Sequence, residues 1–247
     1  MTITLKNSKN QTLALTESNG YALTDAQGLS PAPSNVNITK TAGGNGSLFN
    51  SAMIPQRNIV LTVYMLPNIE ARRNALYAFL SPNSDITLLI SETGRTAQIS
   101  GIVEAFDGTF FTAAEMFSIS ILCPQPFFEK TTATTAVITE GANTINNSGD
   151  YATGFEMSVK VKTAATDLII SDGASSITLD GDTFAANDVI TICTKQGAVY
   201  FKKNGTSILN LVSISNGLPK LKTGANTVTV TNGYDGSITF TELYGGI

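Results

Sequence analysis

The chain has 247 residues, 42% of them hydrophobic, enough for one large or two small cores. Only 14% are charged, about half the ~25% of ordinary globular chains, and the net charge of −4 divides into 8 basic and 10 acidic groups over 1–140 and 7 and 9 over 141–247. With no basic half, binding to nucleic acid through phosphate neutralisation is not expected. The absence of His excludes Ser-His-Asp and Cys-His catalysis and removes the commonest zinc ligand.

The start, MTITLKNSKN, has no apolar run of the signal-peptide kind, and no stretch nears the ~20 apolar residues of a membrane helix. AGGNGSLF (42–49) is Gly-rich but lacks the Lys-Ser/Thr partner of a phosphate-binding loop, so it reads as a flexible surface loop. RNIVLTVYML (57–66) alternates Ile59, Leu61, Val63 and Met65 on one face, with Val60, Thr62, Tyr64 and Leu66 on the other. A strand apolar on both faces predicts cover on both. A helix is expected over 68–81, with Asn68 as N-cap and Glu70 in its first turn. Ile69, Leu76, Phe79 and Leu80 form its inner stripe, Arg72, Arg73 and Asn74 face outward, and Pro82 stops it.

Residues 85–91 and 95–106 read as a hairpin around Glu92-Thr93-Gly94, 106–111 as a turn or loop, and 114–123 as a strand. Pro124 cannot donate to a ladder, so the sheet should end at Cys123. The stiff Pro124-Gln125-Pro126 corner then directs Phe127 and Phe128 back toward apolar cover, and marks a domain end. Residues 131–143 read as a connection running into the first strand of a second unit. After it the pattern is all β, with strands at 155–161, 175–182 (ending in a turn), 188–194 and 198–209, an Asn204-Gly205 hairpin turn, and a final hairpin over 227–244. No repeat of fixed period stands out.

Few residues invite chemistry. Cys123 and Cys193 are expected as small buried hydrophobes, not a disulfide. Asp180, Asp182 and Asp188 have the wrong spacing for a calcium loop and read as turn residues. Glu104 with Asp107, and Glu115 with Glu129, are the nearest carboxylate pairs, and both look like strand-edge or turn charge. The Asn-x-Ser/Thr triplets at Asn37, Asn45, Asn146 and Asn204 read as composition, not glycosylation. Arg57, Arg72, Arg73 and Arg95 are either a solvated face or a subunit interface. No catalytic, cofactor-binding or metal-binding residue is singled out.

The order of motifs resembles the siphophage tail-component family, that of the distal tail proteins. In the first half the match lies in GGNG (43–46), Pro55-x-Arg57-x-Ile59-x-Leu61, a helix carrying Arg72 and Leu76, ISGIVE (99–104), and the Cys-Pro-x-Pro-Phe-Phe ending (123–128). Gln125 stands where the family often has an acid. In the second half it lies in NNSG (146–149), KKNG (202–205), the run Leu221, Gly224, Asn226, Val228, Val230, and LYGG (243–246).

The resemblance implies a mainly β fold. Residues 1–133 would be a ring-forming, β-sandwich-type domain with one helix and a hairpin, and residues 134–247 a galectin-like β-sandwich. It implies a non-enzymatic hub at the distal end of a phage tail, in the virion, assembled in the bacterial cytoplasm. Six copies would form a ring joining the tail tube protein to the tail-tip or tail-associated lysin protein and anchoring receptor-binding proteins. DNA would cross its lumen without specific binding, with no cofactor and no membrane insertion. The alternative is a carbohydrate-binding adhesion module, although the absence of Trp and His removes the usual sugar-stacking set.

Overall fold

A computed structural model describes residues 1–109 and 115–247, with side chains throughout except at 181 and 182. Its described residues are mainly strand and divide into two compact units, Met1–Thr131 with Gly245–Ile247, and Thr132–Tyr244. The expected boundary at 133/134 is a single cut. The structure cuts at 131/132 and assigns Gly245–Ile247 to the first unit.

The first unit runs β1 (Thr2–Asn7), β2 (Thr12–Ala14), β3 (Tyr21–Gln27), β4 (Asn35–Lys40), β5 (Ser47–Met53), β6 (Arg57–Met65), α1 (Ile69–Phe79), β7 (Asp85–Glu92), β8 (Arg95–Gly108), β9 (Met116–Cys123) and β10 (Phe128–Lys130). One antiparallel sheet is ordered β2-β1-β7-β8-β9-β6-β3, with β10 on β8. Strict alternation turns Ile3 and Leu5, Ile59 to Met65, Ile86 to Ile90, and Phe117 to Cys123 into its core. The opposite face of β6 is only half-buried at Val60, Thr62 and Tyr64.

α1 shows where local rules stop short. Leu76 and Leu80 are buried and Ile69 and Phe79 half-buried, which is the expected inner stripe. Asn68, however, adopts φ +73° and makes no side-chain cap bond, because the chain must reverse sharply after Pro67. Arg72 and Arg73 do not face outward. Arg72 Nε donates to Pro67 O at 2.8 Å, and Arg73 meets Glu115 at 3.1 Å.

Two loops expected in this unit are strand. β5 begins at Ser47, inside the stretch read as a flexible loop, and pairs with β4. β8 continues through Gly108, opposite Phe117. The remainder of the 106–111 turn, at 110 and 111, and residue 114 of the next strand lie outside the described residues.

The second unit runs β11 (Thr134–Ile138), β12 (Gly141–Asn147), β13 (Phe155–Val161), β14 (Ala165–Ser171), β15 (Ser176–Phe184), β16 (Val189–Cys193), β17 (Tyr200–Lys203), β18 (Thr206–Ser207), β19 (Val212–Ser215), β20 (Gly224–Val230), β21 (Tyr234–Phe240) and β22 (Leu243–Tyr244). One sheet is ordered β11-β21-β13-β16-β17-β18 and the other β12-β20-β14-β15-β19. Inward residues of both, including Phe155, Phe184, Phe240, Leu168 and Val228, share one core, so this unit is a two-sheet β-sandwich.

Three expectations change here. The stretch 131–143, expected to connect into a first strand, is already strand over most of its length, with β11 whole ahead of the start of β12. β15 continues through Asp180 to Phe184 instead of turning at 180–182. The final "hairpin" is no hairpin, because β20 pairs with β12 and β14 while β21 pairs with β11 and β13. Residues 231–233 therefore cross from one sheet to the other. Alternation around an Asn-Gly turn reads alike for a hairpin and for a crossing between sheets. Asn204-Gly205 does make its tight turn, with φ +48° and +83° joining β17 to β18.

A short internal echo emerges as well. Gly-Ala-Asn-Thr occurs at 141–144 and 224–227, opening the paired strands β12 and β20. In each copy the Asn amide brackets the chain before it. Asn143 accepts from Thr139 N at 2.9 Å and donates to Thr139 O at 2.7 Å, and Asn226 does the same with Lys222 at 2.7 and 2.7 Å. The pairings Asn143–Val228 and Ile145–Asn226 relate the copies by a local two-fold.

Candidate functional site

The corner after β9 is built on Arg57, the first residue of β6, which is paired with Cys123. Its guanidinium is buried at 4% exposure. Nε donates to Pro126 O at 2.8 Å, Nη1 to Gly28 O at 2.6 Å and Ser30 O at 2.7 Å, and Nη2 to Gly245 O at 2.5 Å. The Phe128 ring lies under it, 4.6 Å from centroid to Cζ. The fork geometry of arginine lets one side chain satisfy four carbonyls from three separate segments. Arg95 Nη1 adds a bond to Gly246 O at 3.2 Å, and Ile247 N donates to Leu29 O at 3.0 Å. The Pro-Gln-Pro turn presents the Pro126 carbonyl to the guanidinium and sends Phe128 inward. Phe127 stays half-buried.

Arg57, Arg72 and Arg73 are thus not a solvated face, whereas Arg95 is exposed. Arg57, Arg72 and Arg95 each hold backbone carbonyls, and Arg73 holds Glu115. Carbonyl acceptors carry no signature in sequence, which is why these roles were not visible there. The only available hint was an arginine heading a strand that pairs with a Cys-Pro ending.

Cys123 and Cys193 are buried and free. Burial pushes the Cys123 thiol up to about 11, with the Arg57 charge pulling partly the other way. It is a protonated packing residue at neutral pH.

The acidic candidates are held in separate local networks. Glu104 Oε2 accepts from Ser120 Oγ at 2.9 Å and Asn58 Nδ2 at 3.2 Å. Glu115 and Glu129 do not face each other. Glu115 precedes Met116 at the Gly108 end of β8, whereas Glu129 pairs with Gln98, roughly 30 Å of strand away at ~3.3 Å per residue. Asp180 lies in β15 opposite Asp167, and the Asp182 side chain lies outside the described ones. Asp188 accepts from Ala185 N and Asn204 Nδ2, both at 2.8 Å, and meets Lys203 at 3.5 Å.

Asp172 caps the turn between β14 and β15. Burial pushes its carboxyl up, but N–H groups of Ser175, Ala174 and Lys220 at 2.7, 2.9 and 3.1 Å, with Lys222 nearby, hold it below the ordinary 3.8. A depressed carboxylate stabilises the fold above its unfolded value and loses that contribution as pH falls through the folded one. Wild-type melting temperature should therefore drop between pH 5 and pH 3 more steeply than that of Asp172→Asn. Equal slopes in thermal scans would mean that the carboxylate adds nothing beyond what an amide supplies.

The surface feature with the largest apolar exposure in the first unit is the β4–β5 hairpin. It forms a sheet of its own, and every residue of both strands is exposed. A bulge at Asn50 shifts the register between Asn37 and Ile38, so that Val36 pairs with Ala52 and Ile38 with Phe49. Both pairs then fall on one side. The other side carries Asn35, Asn37, Thr39 and Ser51 together with Leu48 and Met53, and there Asn50 Nδ2 donates to Thr39 Oγ1 at 2.7 Å.

Residues 148–244 match the family described as siphovirus-type tail component, C-terminal domain. The crystal structure of the SPP1 Dit (gp 19.1) protein, described as a paradigm of the hub adsorption apparatus in phages infecting Gram-positive bacteria, aligns over 98% of this chain and 98% of its own, with TM-score 0.78 and 16% identity. Two structures of the phage p2 baseplate in its activated conformation, with Sr and with Ca, align over 100% of this chain and 99% of theirs, at TM-score 0.49 and 9% and 10% identity. No curated protein matches the sequence. The resemblance to the siphophage tail-component family is borne out by the family model over 148–244, and the likeness over the whole length is one of fold.

Proposed function

We propose that this chain is a structural hub at the distal end of a siphophage tail, built as a ring of six copies. The observation that carries the reading is the near-complete alignment of both units with the SPP1 hub protein, supported by the tail-component match over 148–244. The ring joins the tail tube to the tail-tip or tail-associated lysin protein, offers the second unit to receptor-binding proteins, and leaves a lumen for DNA. Its place is the virion, after assembly in the host cytoplasm. The role is non-enzymatic. It needs surfaces that meet other protein, which suits a chain with 14% charged residues and an exposed apolar hairpin. The division is a ring-forming first unit and an outward β-sandwich.

Mass photometry of the full chain, alone and with its tail-tip neighbour, tests this. A species of six chain masses is expected in at least the second case. A single-chain mass under both conditions, combined with specific retention of the full chain on a glycan array, would instead favour the adhesion-module reading.

A further inference from the structure

Asn-Gly occurs five times, at 19–20, 45–46, 204–205, 216–217 and 232–233. Glycine has no Cβ to shield its peptide nitrogen, so at each pair that nitrogen can reach the Asn carboxamide unless something holds the two groups apart.

Four of the pairs are held. Asn19 Nδ2 donates to Ala14 O at 3.1 Å, and Gly20 N to Glu17 O at 2.8 Å. Asn204 is tied at both ends of its carboxamide. Its Oδ1 accepts from Val189 N at 2.9 Å and its Nδ2 donates to Asp188 Oδ1 at 2.8 Å. Asn216 Nδ2 donates to Ala174 O at 3.2 Å, and Gly233 N donates to Glu140 Oε2 at 3.0 Å. Asn45-Gly46 differs from all of these. It lies in the exposed stretch 41–46 that joins β4 to β5. Among the described residues, neither the Asn45 carboxamide nor Gly46 N has a hydrogen-bond partner. Beyond the chain neighbours, no heavy atom comes within 4 Å of where a Cβ on Gly46 would stand.

We propose that Asn45 is a self-modification site, at which this chain deamidates ahead of its other Asn-Gly pairs. Gly46 N gives its proton to solvent base and attacks Asn45 Cγ. The Cγ–Nδ2 bond breaks, ammonia leaves, and the two residues close a five-membered succinimide. Water then opens either carbonyl, leaving aspartate or isoaspartate. Water is the only co-reactant, and each opening leaves a carboxylate. The segment 35–53 carries one charge, Lys40, and no acid, so the product puts the first negative charge on the β4–β5 hairpin. Isoaspartate also lengthens the backbone by one atom between the two strands.

The test holds the full-length protein in mildly alkaline buffer and samples it over days. Intact mass gives the total conversion, and fragmentation of tryptic peptides gives the conversion at each Asn. A hydrogen bond that must break before attack slows the step about two- to tenfold, so Asn45 should convert about fivefold faster, or more, than any of the other four. Asn45→Gln should remove the early gain of about 1 Da in intact mass, because a glutamine ring closes far more slowly. Glu140→Ala, at an exposed position, releases Gly233 N and should speed conversion of Asn232 about two- to tenfold, with Asn45 unchanged. No conversion at Asn45, earlier conversion at another pair, or an Asn232 rate indifferent to Glu140→Ala overturns the proposal.

Discussion

Arg57→Met should lower the unfolding free energy of the first unit by about 3–5 kcal/mol. Four carbonyls, of Gly28, Ser30, Pro126 and Gly245, lose their donor at a site where Arg57 is 4% exposed. Each buried acceptor left unmade costs about 1–3 kcal/mol, offset in part by not burying the cation. Phe128 also loses the guanidinium stacked on its ring. Arg57→Lys should recover less than half of the loss, because one ammonium cannot address four acceptors spread about a planar fork. Urea unfolding followed by far-UV circular dichroism is the measurement. Two units should give two transitions, and only one should move. A first-unit midpoint that does not shift would mean these carbonyls find other donors.

Gly236→Ala should cost the second unit about 3 kcal/mol, the upper end of ordinary overpacking. β21 lies between β11 and β13, and Gly236 faces both Ile138 and Val159. A Cβ there would sit 2.0 Å from Ser158 O and 2.8 Å from Val159 Cα. Both obstacles are backbone, so the strands themselves must part. Glycine in a central strand weakens it and is kept where another backbone comes this close. The urea midpoint of the transition untouched by Arg57→Met should fall with an unchanged slope. A midpoint unmoved within error would show that β13 and β21 separate at little cost. The pair of variants also assigns each transition to its unit.

Much of this architecture was legible because period-two alternation is a local signal. β6, β7, β9 and β8 as far as 106 could be read from it, and Pro124 marked where β9 stops. What could not be read was non-local. The residues of β20 and β21 alternate alike, and nothing in either says that they join different sheets. The β4–β5 hairpin was hidden by its composition. Asn, Thr and Ser around Gly43-Gly44 look like a loop, although Val36 with Ile38 carried a faint alternation. The acids were correctly read as ordinary turn or strand charge in part, as at Asp188, but the arginines were not read as holders of carbonyls. The partners of Arg57 are peptide oxygens from positions as distant as 28 and 245, and a peptide oxygen has no letter.

The assignment of Gly245–Ile247 to the first unit has a consequence during synthesis. When residues 1–131 have left the ribosome, the guanidinium of Arg57 still lacks the acceptor that Gly245 provides. The whole of 132–244 must be translated before that oxygen exists. The nascent first unit therefore lacks one acceptor for its buried arginine until a segment made much later arrives. A copy interrupted before that point would lack the Gly245 acceptor and leave one arm of the buried guanidinium unmatched.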